Sequence, residues 1–340
     1  MKKILKFLIA LTIGLFVFLL VMKIVGWDKI SEAIILFSGW EGLIIVLLTF
    51  IAAMISVFKW RLILESQGLN IPTRELGKLW LAGFSISYLT PVSLLGGEAF
   101  QVYFLKKKFN LSWEKSAASV IIRKILGGTF FLIFLVAGIS AFYFYGYFPS
   151  KMVIWFVLLV TGGLFGLLSF FYFRVLNKKS LLKWLLKFLN IKEEKIVNNK
   201  NGKVILGVEK EVIRFFSLKN RAFWKSLSLS FLRYSLLFFR AALLIFFLGE
   251  GIEVLRVLAV YGFANFALIF PLPAALGSME AACAFSFNAL RIGAGQGVIF
   301  AMSWRVADLF LCLFGLIFGI KLGLNLAERK LLDFIDKLKK

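Results

Sequence analysis

Apolar residues run along this chain in long unbroken stretches, without the 3.6- or 2-residue alternation of half-buried elements. Stretches at about residues 4–25, 41–58, 113–145, 151–173, 226–249 and 296–322 approach or exceed the roughly 20 residues an α-helix needs to cross a bilayer core, and they predict six full spans. The first, "ILKFLIALTIGLFVFLLVMKIVG", is too long for the hydrophobic region of a secretory signal and lacks a small-x-small cleavage site, so it reads as a retained span. Two further stretches, 76–105 and 255–290, carry proline and glycine near their middles and end on the side where they began. Each reads as a re-entrant pair of half-helices, which membrane depth tolerates only where protein or a water-filled cavity covers the exposed backbone. The predicted fold is an all-α polytopic membrane protein: about six full transmembrane helices plus two re-entrant helical hairpins, in one integral domain over residues 1–340.

Composition agrees, with 61% hydrophobic residues and a mean hydropathy of +0.90. The net charge of +23 would suit a nucleic-acid partner if it were spread over a soluble surface. Instead the cations collect in "MKKILK", the Lys59 to Lys78 connection, "KKK" at 106–108, the Arg174 to Lys225 segment and "ERKLLDFIDKLKK", while the opposite loops carry Asp28, Glu32, Glu41, Glu250 and Glu253. That asymmetry is the positive-inside pattern, so nucleic acid is not an expected partner and both termini are expected to be cytoplasmic. The 174–225 segment is the one sizeable polar region, a basic cytoplasmic loop. Its "SLLKWLLKFLN" puts leucines and Trp184 on one helical face and lysines on the other, as an amphipathic helix on an anionic leaflet would. With "NNKNGK" in its middle, the segment of about 50 residues is short for a catalytic domain. Histidine is absent, and Cys283 and Cys312 have no metal-ligand spacing, so no metal or other cofactor is expected.

An internal repeat falls on the two broken stretches. Pro91, Glu98 and Arg123 are separated by 7 and 25 residues; Pro273, Glu280 and Arg305 repeat those spacings 182 residues later, and Leu94 with Leu276 and Ala99 with Ala281 also match. With three full spans between the hairpins, the second copy would enter from the opposite side. This is the inverted-topology repeat that transporters use to build a midplane site.

Arg123 and Arg305 lie some ten residues into their spans, about 15 Å deep at the helical rise. An arginine there costs at least ~2.5 kcal/mol on insertion scales and faces a cavity or a partner. The expected partners are Glu98 and Glu280, each opening a half-helix, and Asp308 one turn beyond Arg305; Arg233 and Arg240 add two cations on one face of their span. Each Arg–Glu pair could simply fix helix register. Surplus arginine together with the positive ends of two half-helices could instead hold a phosphate, and a lipid phosphate fits such a site better than a sugar or a metal ion. Glycines at 315, 319 and 323, and at 162 and 166, have the spacing of close helix packing.

The stretch "FKWRLILESQGLNIPTRELGKLWLAGFSISYLTPVSLLGGEAFQVYFLKKKFNLSWEKSAASVIIRKI" resembles the first signature of the lysylphosphatidylglycerol synthase transmembrane family, and "FPLPAALGSMEAACAFSFNALRIGAGQGVIFAMSWRV" is similar to its second. The resemblance covers roughly residues 1–325. Pro91, Gly96, Gly97, Glu98 and Arg123 take the first pattern, and Pro271, Pro273, Gly277, Glu280 and Arg305 the second, the prolines and glycines as helix breaks or hinges. Ile122 stands where the family often has glutamate, and Ala274 with Ala275 replaces the usual glycines. The resemblance implies the flippase part of the bifunctional members, without the soluble aminoacyl-transferase domain that makes the lipid.

The resulting expectation is a lipid translocase, a flippase or scramblase of an anionic or aminoacylated phospholipid such as phosphatidylglycerol or lysyl-phosphatidylglycerol, and not an enzyme. Glu98, Arg123, Glu280, Arg305, Arg233, Arg240 and Asp308 would bind the headgroup. Expected partners are the membrane phospholipid, a separately encoded lipid-modifying enzyme and, in a homo-oligomer, a second copy, all at the plasma membrane. The alternatives are a membrane-embedded transferase acting on a lipid phosphate with Glu98 or Glu280 as base, and a non-transporting scaffold.

Overall fold

The computed structural model describes residues 31, 35, 39–89, 96–145, 151–190, 199–270 and 272–338. The predicted span at 4–25, Pro91 and Pro271 lie outside them. Among the described residues there are eleven α-helices and no strands: α1 (Trp40–Ser66), α2 (Thr73–Leu89), α3 (Gly96–Phe109), α4 (Trp113–Phe144), α5 (Lys151–Leu176), α6 (Leu181–Phe188), α7 (Lys200–Phe215), α8 (Arg221–Phe247), α9 (Val254–Ala267), α10 (Ser278–Ala289) and α11 (Ala294–Leu338). Helices over Trp40–Ser66, Trp113–Phe144, Trp155–Leu176 and Arg221–Phe247 are long and apolar enough to cross a membrane. The chain is an all-α, multi-pass membrane protein.

Local chemistry sets the helix starts. Ser112 Oγ accepts from the Lys115 N–H at 3.2 Å to cap α4, and Asn220 Oδ1 accepts from the Ala222 N–H at 3.0 Å to cap α8, satisfying amides that have no partner within the helix. Asn199 does the same for α7, a second helix in the 174–225 segment, where one amphipathic helix was expected. The amphipathic α6 forms where its pattern predicts. α1 runs eight residues past the expected end of its span, to Ser66, and this carries Lys59 out of the expected basic connection into the protein.

Both broken stretches are helical pairs. In the first, α2 and α3 pack together, and a β-carbon on Gly97 would lie 1.8 Å from the Gly83 carbonyl oxygen, so this crossing admits only glycine. In the second, α9 and α10 are joined through a 3-10 turn at Pro273–Ala275. Ser278 Oγ ties that turn to the end of α9, with the Ala267 oxygen at 3.2 Å and the Ala275 oxygen at 3.1 Å. Each hairpin has its own apolar core: Trp60, Leu64, Leu76, Leu79, Phe104 and Leu105 around the first, and Phe142, Tyr261, Phe263, Met279, Phe287 and Phe300 around the second.

The 182-residue displacement extends to whole helices. Moving the starts of α1, α2, α3 and α4 by 182 gives 222, 255, 278 and 295, against observed starts of α8 to α11 at Arg221, Val254, Ser278 and Ala294. The two halves pack crosswise, α2 against α11 and α9 against α4. α1 and α8 run antiparallel: Trp40 packs edge-on against Phe247, Arg240 donates to Thr49, and Lys59 donates to Ser230.

Of the glycines spaced for packing, Gly315 presses on α2, with its β-position 2.2 Å from the Leu81 oxygen. A β-carbon on Gly162 or Gly166 would meet nothing within 4 Å beyond its own helix, because α5 lies at the periphery of the bundle.

Candidate functional site: a cationic cavity between the hairpins

α3 begins at Gly96, and its first-turn Glu98 reaches α4. Glu98 Oε1 lies 2.5 Å from Lys124 Nζ, and Ser87 Oγ donates to Glu98 Oε2 at 3.4 Å. The expected Glu98–Arg123 pair is therefore not formed. Arg123, one residue before Lys124 on the helix, points instead to Gln101 Oε1 and lies over the Trp60 ring at 4.8 Å. Trp60 is itself fixed by donating from Nε1 to Ser119 Oγ at 3.2 Å.

In the second half the expected pair is present. Arg305 Nη2 donates to Glu280 Oε2 at 2.6 Å and also to the Ala275 carbonyl oxygen. The same carboxylate oxygen accepts the Gly277 N–H at 2.9 Å. Gly277 needs its backbone freedom, with φ at 80°, and Ala274 and Ala275 sit at φ 50° and 49°. The turn thus keeps a left-handed geometry that favours glycine, although alanine fills it. Glu280 is fully buried and Arg305 is 7% exposed, so the ion pair pins a strained turn from inside.

Asp308 does not serve Arg305. It accepts from Arg240 Nη1 at 3.1 Å, while the same nitrogen donates to Thr49 Oγ1 at 2.6 Å and the guanidinium stacks on Trp304 at 4.0 Å. Arg233 lies over the Tyr234 ring at 5.1 Å and pairs with no carboxylate among the described residues. The half-helix ends contribute less positive potential than expected, since the Gly97 N–H is satisfied by Ser87 Oγ and the Gly277 N–H by Glu280.

Glu98, Arg123, Arg233, Arg240, Arg305 and Asp308 all line one cavity of about 570 Å³; Glu280 stands behind Arg305. Gly96, Gly97 and Gly277 lie at the half-helix starts beside it, and Pro273 opens the second turn. The expected residues missed Lys59, Gln101 and Lys124, which share the wall. Lys59 is 3% exposed and donates to Ser230 Oγ at 3.0 Å. A signal for it existed: Thr49, Ser56 and Lys59 are buried on α1 at helical spacing with Ala52 and Ala53. The lining also has an apolar part, made of Phe131, Leu132, Leu164, Leu168, Leu268 and Ile269. Chemically the space suits an amphiphile with an anionic end. Among the described residues, no three histidine, cysteine, aspartate or glutamate side chains converge to hold a metal.

No solved structure matches the chain. A UPF0104 membrane protein of Methanocaldococcus jannaschii is 26% identical over 297 residues, covering 85% of this chain and 87% of that protein. A UPF0104 membrane protein of Methanothermobacter thermautotrophicus is 30% identical over 127 residues, 37% of each chain. Residues 4–315 match the family described as Lysylphosphatidylglycerol synthase TM region, and they contain both hairpins and every residue of the cavity wall. The chain belongs to the lysylphosphatidylglycerol synthase TM region family.

Proposed function

We propose that this protein moves an anionic or aminoacylated phospholipid, such as phosphatidylglycerol or lysyl-phosphatidylglycerol, between the leaflets of the cell membrane, as a transport protein and not a transferase. The observation that carries the reading is that one cavity is lined by both a set of cationic and a set of apolar side chains. Lys59, Arg123, Lys124, Arg233, Arg240 and Arg305 line it together with Phe131, Leu132, Leu164, Leu168, Leu268 and Ile269. A headgroup phosphate would meet the first set and the proximal acyl chains the second. Charge-assisted hydrogen bonds would replace the headgroup's hydration.

The two hairpins would be re-entrant, entering from opposite faces as an inverted repeat, with both termini cytoplasmic. The antiparallel α1 and α8 and the matching helix starts support this reading. Rocking one half against the other would then expose the cavity to either leaflet in turn. The chain has no Walker motif, so movement down the lipid gradient is the simplest coupling. Headgroup binding is assigned to Glu98, Arg123, Arg233, Arg240, Glu280, Arg305 and Asp308, with Glu280 acting through Arg305. A separately encoded lipid-modifying enzyme would supply any aminoacylated substrate.

The test is leaflet movement of fluorescent phosphatidylglycerol and lysyl-phosphatidylglycerol in liposomes with and without purified protein. Protein-dependent acceleration of either lipid is expected. Equal rates with and without protein would remove this substrate class.

A further inference from the structure

The charges around the cavity do not balance, and the imbalance is local. Lys124 is neutralised by Glu98, Arg240 by Asp308 and Arg305 by Glu280. Lys59, Arg123 and Arg233 remain. Their contacts are a serine hydroxyl, a glutamine oxygen with a tryptophan face, and a tyrosine face. Among the described residues none of the three has a carboxylate partner. Lys59 is 3% exposed and Arg123 9%, and Arg123 Nε and Arg233 Nε are buried without a hydrogen-bond acceptor.

These cations share one corner. Lys59 Nζ bonds Ser230 Oγ at 3.0 Å, and Ser230 lies three residues before Arg233 on α8. Arg123 lies over Trp60, the neighbour of Lys59. Gly127 is one turn beyond Arg123 on α4, and a β-carbon there would come to 3.8 Å from Lys59 Nζ and 3.9 Å from Tyr234 Oη. The absent side chain leaves space beside both the lysine ammonium and the tyrosine hydroxyl, one turn along α4 from Arg123. The buried Lys59 and Arg123 and the part-buried Arg233 have no carboxylate counter-ion among the described residues; charge held that way is costly, and an anion is the missing component.

We infer that this corner, formed by Lys59, Arg123 and Arg233 near Gly127, is a site for a terminal phosphate carrying two negative charges. The inference rests on the lipid-translocation reading and narrows its substrate. A phosphate monoester has about −1.5 to −2 charge at neutral pH and three acceptor oxygens, enough to engage two guanidinium groups and an ammonium together. A phosphodiester headgroup such as phosphatidylglycerol brings one negative charge and leaves cations unpaired. An aminoacylated headgroup adds positive charge to a corner that already has too much. The apolar part of the cavity lining favours a phosphate borne on a lipid, although free phosphate esters share the chemistry.

The test is binding, read separately from transport. Purified full-length protein in phosphatidylcholine nanodiscs is titrated with phosphatidic acid, phosphatidylglycerol and lysyl-phosphatidylglycerol, and retention is read by native mass spectrometry, with glycerol 3-phosphate as a soluble competitor. Phosphatidic acid is expected to bind about tenfold more tightly than phosphatidylglycerol, the scale of one added charge-assisted contact. Arg233→Gln, which removes no ion pair among the described residues, and Lys59→Gln should each erase that preference, and Arg256→Gln at the exposed start of α9, outside the cavity lining, should keep it. Displacement by glycerol 3-phosphate at the affinity of phosphatidic acid would support the terminal-phosphate chemistry and assign it to a soluble ligand. Equal binding of the first two lipids, preference for lysyl-phosphatidylglycerol, or a preference that survives both cavity variants would overturn the inference. Selective binding without leaflet movement would keep this site and remove translocation; movement without selectivity would do the reverse.

Discussion

Arg305 and Glu280 meet at 2.6 Å, whereas Arg123 and Glu98, which stand at the corresponding places in the first half, each bind another partner. The difference turns on Lys124, which takes Glu98 and leaves Arg123 to a neutral glutamine. The two halves thus use the same spacing for different work: the second pair pins a turn, and the first releases a cation into the cavity.

Stability should register that difference. Glu280→Gln or Arg305→Gln strands a buried charge and should cost about 3–5 kcal/mol. Arg123→Gln removes a charge with no ionic partner and should cost far less. The combined Glu280→Gln, Arg305→Gln protein should lose less than the sum of its single variants. Thermal unfolding in detergent, compared across the four proteins, measures this.

The turn at Ala274 and Ala275 holds both residues in left-handed geometry, at φ 50° and 49°. That conformation costs an L-residue about 1–2 kcal/mol, and glycine returns part of the gain as chain entropy. Ala275→Gly should therefore stabilise the protein by up to about 1 kcal/mol. An unchanged or lowered midpoint would show that the alanine methyl, 95% buried as part of the residue, contributes more through packing than the backbone loses.

Gly97 and Gly162 make a contrasting pair. A β-carbon at Gly97 would sit 1.8 Å from the Gly83 oxygen, and one at Gly162 would meet nothing within 4 Å. Gly97→Ala should force α2 and α3 apart and lower both stability and leaflet movement. Gly162→Ala should be neutral or stabilise by roughly 0.5–1 kcal/mol through helix propensity.

Glu209 on α7 holds the start of the amphipathic α6, accepting from Ser180 Oγ at 2.6 Å and from the Leu182 N–H at 2.8 Å. Glu209→Ala should cost about 1 kcal/mol of local stability, the usual worth of a helix cap. Hydrogen exchange should quicken over Leu181–Phe188 and stay unchanged in α8.

Much of this arrangement was legible because charges are scarce in the apolar stretches. Glu98, Arg123, Glu280 and Arg305 stand out against leucine and phenylalanine, and their equal spacing points to equivalent places in two hairpins. Pairing was not legible, since Arg123 and Lys124 are adjacent and only the rotation of α4 decides which of them meets Glu98. Lys59 was hidden for another reason. It sits with Arg61 at the end of an apolar run, as a topology-setting lysine would, and it is buried only because α1 continues to Ser66 and packs antiparallel on α8. The helix at Lys200 was masked by polar composition, although Asn199 ahead of it is a capping residue.

The central claim, that the cavity is a lipid path, is tested most directly by leaflet exchange in liposomes with wild-type protein and the Arg233→Gln and Arg256→Gln variants, all confirmed as folded. Arg233 lies in the cavity without an ionic partner among the described residues, and Arg256 lies half-exposed against Glu253. The account predicts protein-dependent lipid movement that falls at least about tenfold, the equivalent of one lost 1.4 kcal/mol contact, in Arg233→Gln and is retained in Arg256→Gln. Movement that Arg233→Gln leaves unchanged, or that wild-type protein does not accelerate, would contradict it.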